Sequence, residues 1–211
     1  MGVLKNNSTY LASMTREQFM FYEMRVTASL LCEGLTEEEI VQRVIEENLF
    51  QYPTEKSCKR MAVGCIRRLS FLDEELVKTL AMTSSDEAHQ ICLYALMKQN
   101  RLVGEFMVNV IGEKFRTQDL HFTKLDLNEY FTSLQEQNDV VASWSEATVN
   151  KLKSVLVKML VDNEYLDNNK STELKPVWLY PALENSIRAS GEEAFLPAFN
   201  CFYYGSSYGK S

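Results

Sequence analysis

The chain has 211 residues, 45% of them hydrophobic and 24% charged, and a net charge of −7. That length allows one large domain or two small ones with a real core. Four Pro and eight Gly are too few for a fold built on many short turns, and the acidic balance argues against a surface that is basic throughout.

Helix signals run in order from the start of the chain. Thr15-x-x-Gln18 fits a capping box before a helix reaching about Glu33, with Gly34 as its C′ residue. Thr36-x-x-Glu39 opens a second helix whose apolar face is Ile40, Val41, Val44, Ile45 and Leu49. Pro53-Thr54 starts a third, ending near Leu69, and Asp73 starts a short fourth. Ser84-x-x-Glu87 opens a fifth through Gln99, and a sixth covers Arg101–Arg116. These last two are apolar enough to pack centrally. The charges between them break any run of the roughly 20 apolar residues a membrane span requires. Thr117–Leu125 has little helical character and fits a linker, after which Asp126-x-x-Glu129 starts a helix to about Gln137. Ser145 caps a long helix, about 146–164, and a polar turn follows over Tyr165–Thr172. Glu173–Tyr180 fits an extended segment, and Pro181 sits at N1 of a last helix to about Ser190.

The expected fold class is therefore all-α. A helical bundle occupies residues 1–120, a winged helix-turn-helix-like module 121–190, and a C-terminal tail 191–211. The five Cys (Cys32, Cys58, Cys65, Cys92, Cys201) are odd in number, lack C-x-x-C spacing and lie mostly in apolar helical patterns. That fits reduced, packed thiols in a cytoplasmic protein. The first dozen residues lack the apolar stretch of a signal peptide.

Charge is unevenly distributed. Residues 55–70 carry five basic side chains and one acidic, net +4, within a chain of net −7. On the third helix, Cys58, Met61, Ala62, Cys65, Ile66 and Leu69 form the stripe expected to be buried. Lys56, Arg60 and Arg67 fall opposite it, flanked by Lys59 and Arg68. A ridge of cations suits phosphates; the plainer reading pairs these cations with Glu37, Glu38 or Glu46. In the long helix, the small residues Ser145, Ala147 and Thr148 lie at the end that a winged helix presents to DNA, and Ala147, Lys151, Ser154 and Lys158 share one face. Many winged helices bind proteins instead. His89 and His121 are the two histidines, and no metal-ligand spacing, phosphate loop or nucleophile elbow is present. No catalytic residue, metal, cofactor or small-molecule substrate is expected. The aromatic tail, with Phe199, Phe202, Tyr203, Tyr204 and Tyr208, is expected to dock on the body rather than stack on bases.

These segments resemble the BrxA family of BREX phage-exclusion systems. The resemblance is carried by Leu31-Cys32-Glu33-Gly34, by Thr36–Val41, by Arg43-Val44 with Glu47-Asn48, and by Arg67-Arg68-Leu69. Later in the chain it rests on Trp144-Ser145, Thr148-x-x-Lys151-Leu152, Leu160 and Tyr165-Leu166. It implies an accessory protein of an antiviral defence cluster, with a body similar to the antitermination factor NusB and double-stranded DNA as ligand. The DNA-binding residues it implies are Lys56, Lys59, Arg60, Arg67, Arg68, Ser145, Thr148, Lys151 and Lys153. Other proteins of the cluster are the implied partners. A pure protein adaptor and an RNA binder of the NusB type remain open.

Overall fold

The structure is a computed structural model that describes residues 8–202. It is all-α, as expected. Among the described residues the only β pairing is an isolated antiparallel bridge between His121 and Glu173.

Five helices open the fold: α1 (Phe21–Cys32), α2 (Glu37–Glu46), α3 (Glu55–Leu69), α4 (Glu74–Met82) and α5 (Ser85–Gln99). The next rod begins as α6 (Arg101–Phe106), widens into a π-helical turn over Met107–Ile111 and resumes as α7 (Gly112–Thr117). Then come α8 (Lys124–Gln137), the short α9 (Asp139–Ala142), α10 (Glu146–Asp162) and α11 (Pro181–Ala189). Single 3-10 turns, Ser13–Thr15 and Glu193–Phe199, flank the set.

Most helix starts are written locally. Thr36 and Glu39 close a full capping box on α2, and the side chains of Thr54, Asp73 and Ser145 cap α3, α4 and α10. Gly34 takes φ +86° after α1, the left-handed C′ position glycine favours. Two starts differ from expectation. The Thr15 hydroxyl is turned onto the Ala12 carbonyl at 2.8 Å, and α1 begins six residues later, behind Met20 at φ 57°. The helix α8 starts at Lys124 rather than Asp126, because Asp126 is the third member of a capping box with Thr123.

The segment expected as a linker is tied into the body. Phe122 is buried and its N–H donates to the Thr172 carbonyl at 2.8 Å, while the Leu174 N–H donates to Leu120 at 2.8 Å. Centrally, α5 buries Ala88 and every residue from Ile91 to Met97, so it is enclosed on all sides. Buried side chains from Tyr10 to Phe199 form one continuous core. The turn Glu193–Phe199 packs on the π-turn and α7, and α10 packs on Ser13–Thr15.

Candidate nucleic-acid interface

Helix α3 is positioned by its apolar side. Cys58, Met61, Ala62, Cys65, Ile66 and Leu69 are all buried, against α1, α2 and α5. That fixes the rotation of the helix and leaves Lys56, Lys59, Arg60 and Arg67 exposed. Arg68 departs from the expected ridge. It is 1% exposed, and its guanidinium donates to Gln99 Oε1 at 2.9 Å, to the Phe19 carbonyl at 2.6 Å and to the Glu17 carbonyl at 3.4 Å. At position 68 the helix has already turned toward the core, so this cation braces the segment before α1 and is withdrawn from any surface contact. Burial pulls its pKa down.

The expected pairing with α2 is also absent. Among the described residues Lys56, Lys59 and Arg60 have no ion pair, and Arg67 pairs with Glu17 at 2.6 Å, not with Glu37, Glu38 or Glu46. The three glutamates line one side of a groove of about 760 Å³ between α2 and α3, with Lys59 and Arg67 on the other side and Val63 between.

At α10 the Ser145 hydroxyl accepts the Thr148 N–H at 3.2 Å and lies 3.0 Å from the Thr148 hydroxyl, so both are engaged in the cap. The Lys153 ammonium donates to Asn128 Oδ1 at 2.8 Å and lies 5.6 Å from the centre of the Phe131 ring. It braces α8 against α10. Lys151, Ser154 and Lys158 are exposed on the face that their spacing gives. Lys158 pairs with Asp162 at 2.7 Å.

The tertiary structure brings one residue of each surface to one place. Arg60 of α3 and Lys158 of α10 line the same cleft, of about 570 Å³, together with Arg16 from the segment before α1. Phe21, Tyr52 and His89 supply aromatic walls. His89 stacks on Phe21 with ring centres 3.6 Å apart, and its Nδ1 sits 2.8 Å from the Ser85 carbonyl. Burial pushes the Tyr52 phenol upward, and its hydroxyl donates to Glu23 at 2.7 Å. No local signal marks Arg16: residues 1–54 are net acidic, and the helix that Thr15-x-x-Gln18 suggests begins only at Phe21.

Residues 8–191 match the family model of BrxA. The chain belongs to the BrxA family. Similar proteins are "BREX protein BrxA" of Bacillus cereus (strain H3081.97), 34% identical over 89% of this chain and 94% of its own length, and "BREX protein BrxA" of Escherichia coli O9:H4 (strain HS), 26% identical over 91% and 90%. A crystal structure of an uncharacterized protein from Magnetospirillum magneticum shares the fold with a TM-score of 0.78 at 24% identity, covering 91% of this chain and 98% of that one. The matched stretch of the BrxA model contains both cation-bearing helices and Arg16. No helix among the described residues of this BrxA family member is long and apolar enough to cross a membrane. None of their His, Cys, Asp and Glu side chains form a group of three or more suited to a metal. Tyr203, Tyr204 and Tyr208 of the aromatic tail lie outside the described residues.

Proposed function

We propose that the chain is a double-stranded DNA-binding accessory protein of a BREX bacteriophage-defence system, acting without catalysis beside other proteins of that system. The placement within BREX follows the names of its relatives. The observation that carries DNA binding is the shared cleft. Arg16, Arg60 and Lys158 come from three separated parts of the chain and meet at one surface, beside the α3 ridge of Lys56 and Lys59 and the α10 face that carries Lys151. A phosphate backbone is a line of charges, and cations gathered along one surface meet it together and release counterions. Glu23 and Asp162 in the same cleft temper the field, which favours binding that is strongly salt-dependent over binding that is tight at every salt. Phosphate contacts carry no sequence information, so the cleft supplies affinity and register, and any base reading falls to the start of α10.

The test is a binding series with duplex DNA, single-stranded DNA and RNA at several salt concentrations. About three phosphate contacts give a slope of log affinity against log salt near −2.7 for duplex DNA. Arg60→Glu combined with Lys151→Glu is expected to weaken binding to all duplex sequences alike and to flatten that slope, with helicity unchanged. A preference for RNA would shift the reading to a NusB-type role. Equal slopes and affinities for variant and unaltered protein would remove the cleft as a nucleic-acid site.

A further inference from the structure

On the other side of His89 lies a second cleft, of about 860 Å³, between α5, the end of α10 and the extended segment before α11. Its chemistry is opposite to that of the cation cleft. Asp86, Asp162, Glu164 and Asp167 line it; Lys175 pairs with Asp167, and Asp162 is taken by Lys158. Asp86 and Glu164 have no ion pair among the described residues.

A further observation converges here. Trp178 lines this cleft at 86% exposure, the most exposed large apolar side chain of the described structure. Its backbone is nevertheless held firmly: Gln90 of α5 donates from Nε2 to the Trp178 carbonyl at 2.8 Å and accepts the Tyr180 N–H on Oε1 at 3.0 Å. A single exposed Leu is ordinary on a protein surface. An indole held out on a clamped backbone is the form of a binding anchor, with little ordering left to do on contact.

We infer that this cleft docks an arginine-bearing segment of a partner protein. The guanidinium matches both the exposed indole and the carboxylates. It stacks on an indole face and it pairs with carboxylates. The carboxylates disfavour a phosphate backbone, so the site is distinct from the cation cleft across His89. The two clefts give the molecule one acidic and one basic docking surface on neighbouring sides of one ring.

The probe is a synthetic peptide with Arg at alternate positions, and the control is the same peptide with Glu in their place. Trp144 and Trp178 are the two tryptophans, so Trp144→Phe leaves Trp178 as the only indole reporter. The Arg peptide is expected to quench and shift its emission saturably at about 0.15 M salt, where long-range attraction is screened, and the Glu peptide to leave it unchanged. Anisotropy of a dye-labelled Arg peptide on the unaltered protein is expected to give the same affinity. Trp178→Ala, and separately Asp86→Asn with Glu164→Gln, are expected to weaken it about tenfold or more. Glu37→Gln with Glu38→Gln removes the same charge from α2 and is expected to leave it unchanged. The inference is overturned if no saturable binding occurs, if the α2 variant weakens binding as much as the cleft variant, or if duplex DNA rather than the peptide shifts the Trp178 emission. DNA affinity resting on Arg60 and Lys151 is measured separately, so failure of either reading leaves the other standing.

Discussion

Five cations stand close together in α3, and the structure gives them different fates. Lys56, Lys59 and Arg60 are exposed and free of ion pairs among the described residues, Arg67 is tied to Glu17, and Arg68 is a core residue. A buried guanidinium that donates to two main-chain carbonyls and one amide leaves unpaired acceptors behind when it is removed. Arg68→Met is expected to destabilise the fold by about 2–4 kcal/mol, read as a lower urea midpoint. Arg60→Met is expected to leave that midpoint unchanged while weakening DNA binding. The thiols divide in the same way. Cys58, Cys65 and Cys92 are buried, Cys201 is partly covered, and Cys32 lies exposed at the end of α1. The expectation of mostly packed thiols holds for Cys58, Cys65 and Cys92, and Cys32 is the exposed exception. Under native conditions a thiol reagent is expected to label Cys32 quickly and Cys58, Cys65 and Cys92 only on unfolding. Rapid reaction at Cys65 would contradict the packing of α3.

Among the elements, the rod from Arg101 to Thr117 is the one whose form depends on a distant part of the chain. Its π-turn, Met107–Ile111, and the following Gly112 receive the turn Glu193–Phe199. A Cβ on Gly112 would stand 2.8 Å from the Pro197 Cβ and 2.9 Å from its carbonyl carbon. Backbone cannot swing aside as a flexible side chain does. Gly112→Ala is therefore expected to cost about 1–3 kcal/mol despite the higher helix propensity of alanine, measured by thermal unfolding. A neutral or stabilising result would place the C-terminal turn elsewhere. Helix α10 carries a warning for mutagenesis. Ser145 is its N-cap, so Ser145→Ala costs about 1 kcal/mol in stability by itself, and Lys151→Glu is the cleaner probe of DNA contact.

On the scale of the whole molecule, the bundle and the segments that follow it share one core. Tyr94 and Lys98 of α5 both reach Glu192, the ammonium at 2.8 Å, and Tyr165 donates to the Ala198 carbonyl at 3.0 Å. A core that holds thiols and phenols makes stability fall on the alkaline side. Burial pushes the Cys65 thiol up to about 12 and raises Cys92 as well. In the unfolded chain both titrate near about 8.5. The folded state thus favours the neutral form, so this stability is fully present below about pH 8.5 and is lost as pH climbs toward 12. Each of the two thiols contributes a slope of about 1.4 kcal/mol per pH unit in that window. Urea midpoints measured from pH 7 to 11 are expected to fall steeply above about 9, and Cys65→Ala is expected to make the fall shallower. A flat profile would mean that the thiols are not buried as described.

The sequence by itself determined what short-range chemistry decides. It set the helical class, the caps at Thr36, Thr54, Asp73 and Ser145, the glycine stop at Gly34, and the buried stripe and exposed cations of α3 up to Arg67. Each is settled within a few residues, by a hydroxyl reaching an N–H or by the helical repeat. It also carried the BrxA resemblance, since that rests on local segments. Only the tertiary structure decided the rest. Arg68 is internal because Phe19 and Glu17, about 50 positions away, offer it carbonyls. Lys153 is occupied because α8 lies beside it. Arg16 joins Arg60 and Lys158 because α10 packs against the turn Ser13–Thr15. A periodic pattern fixes which way a residue faces on its own helix. What stands opposite is set by long-range packing, and there the clefts of this molecule are made.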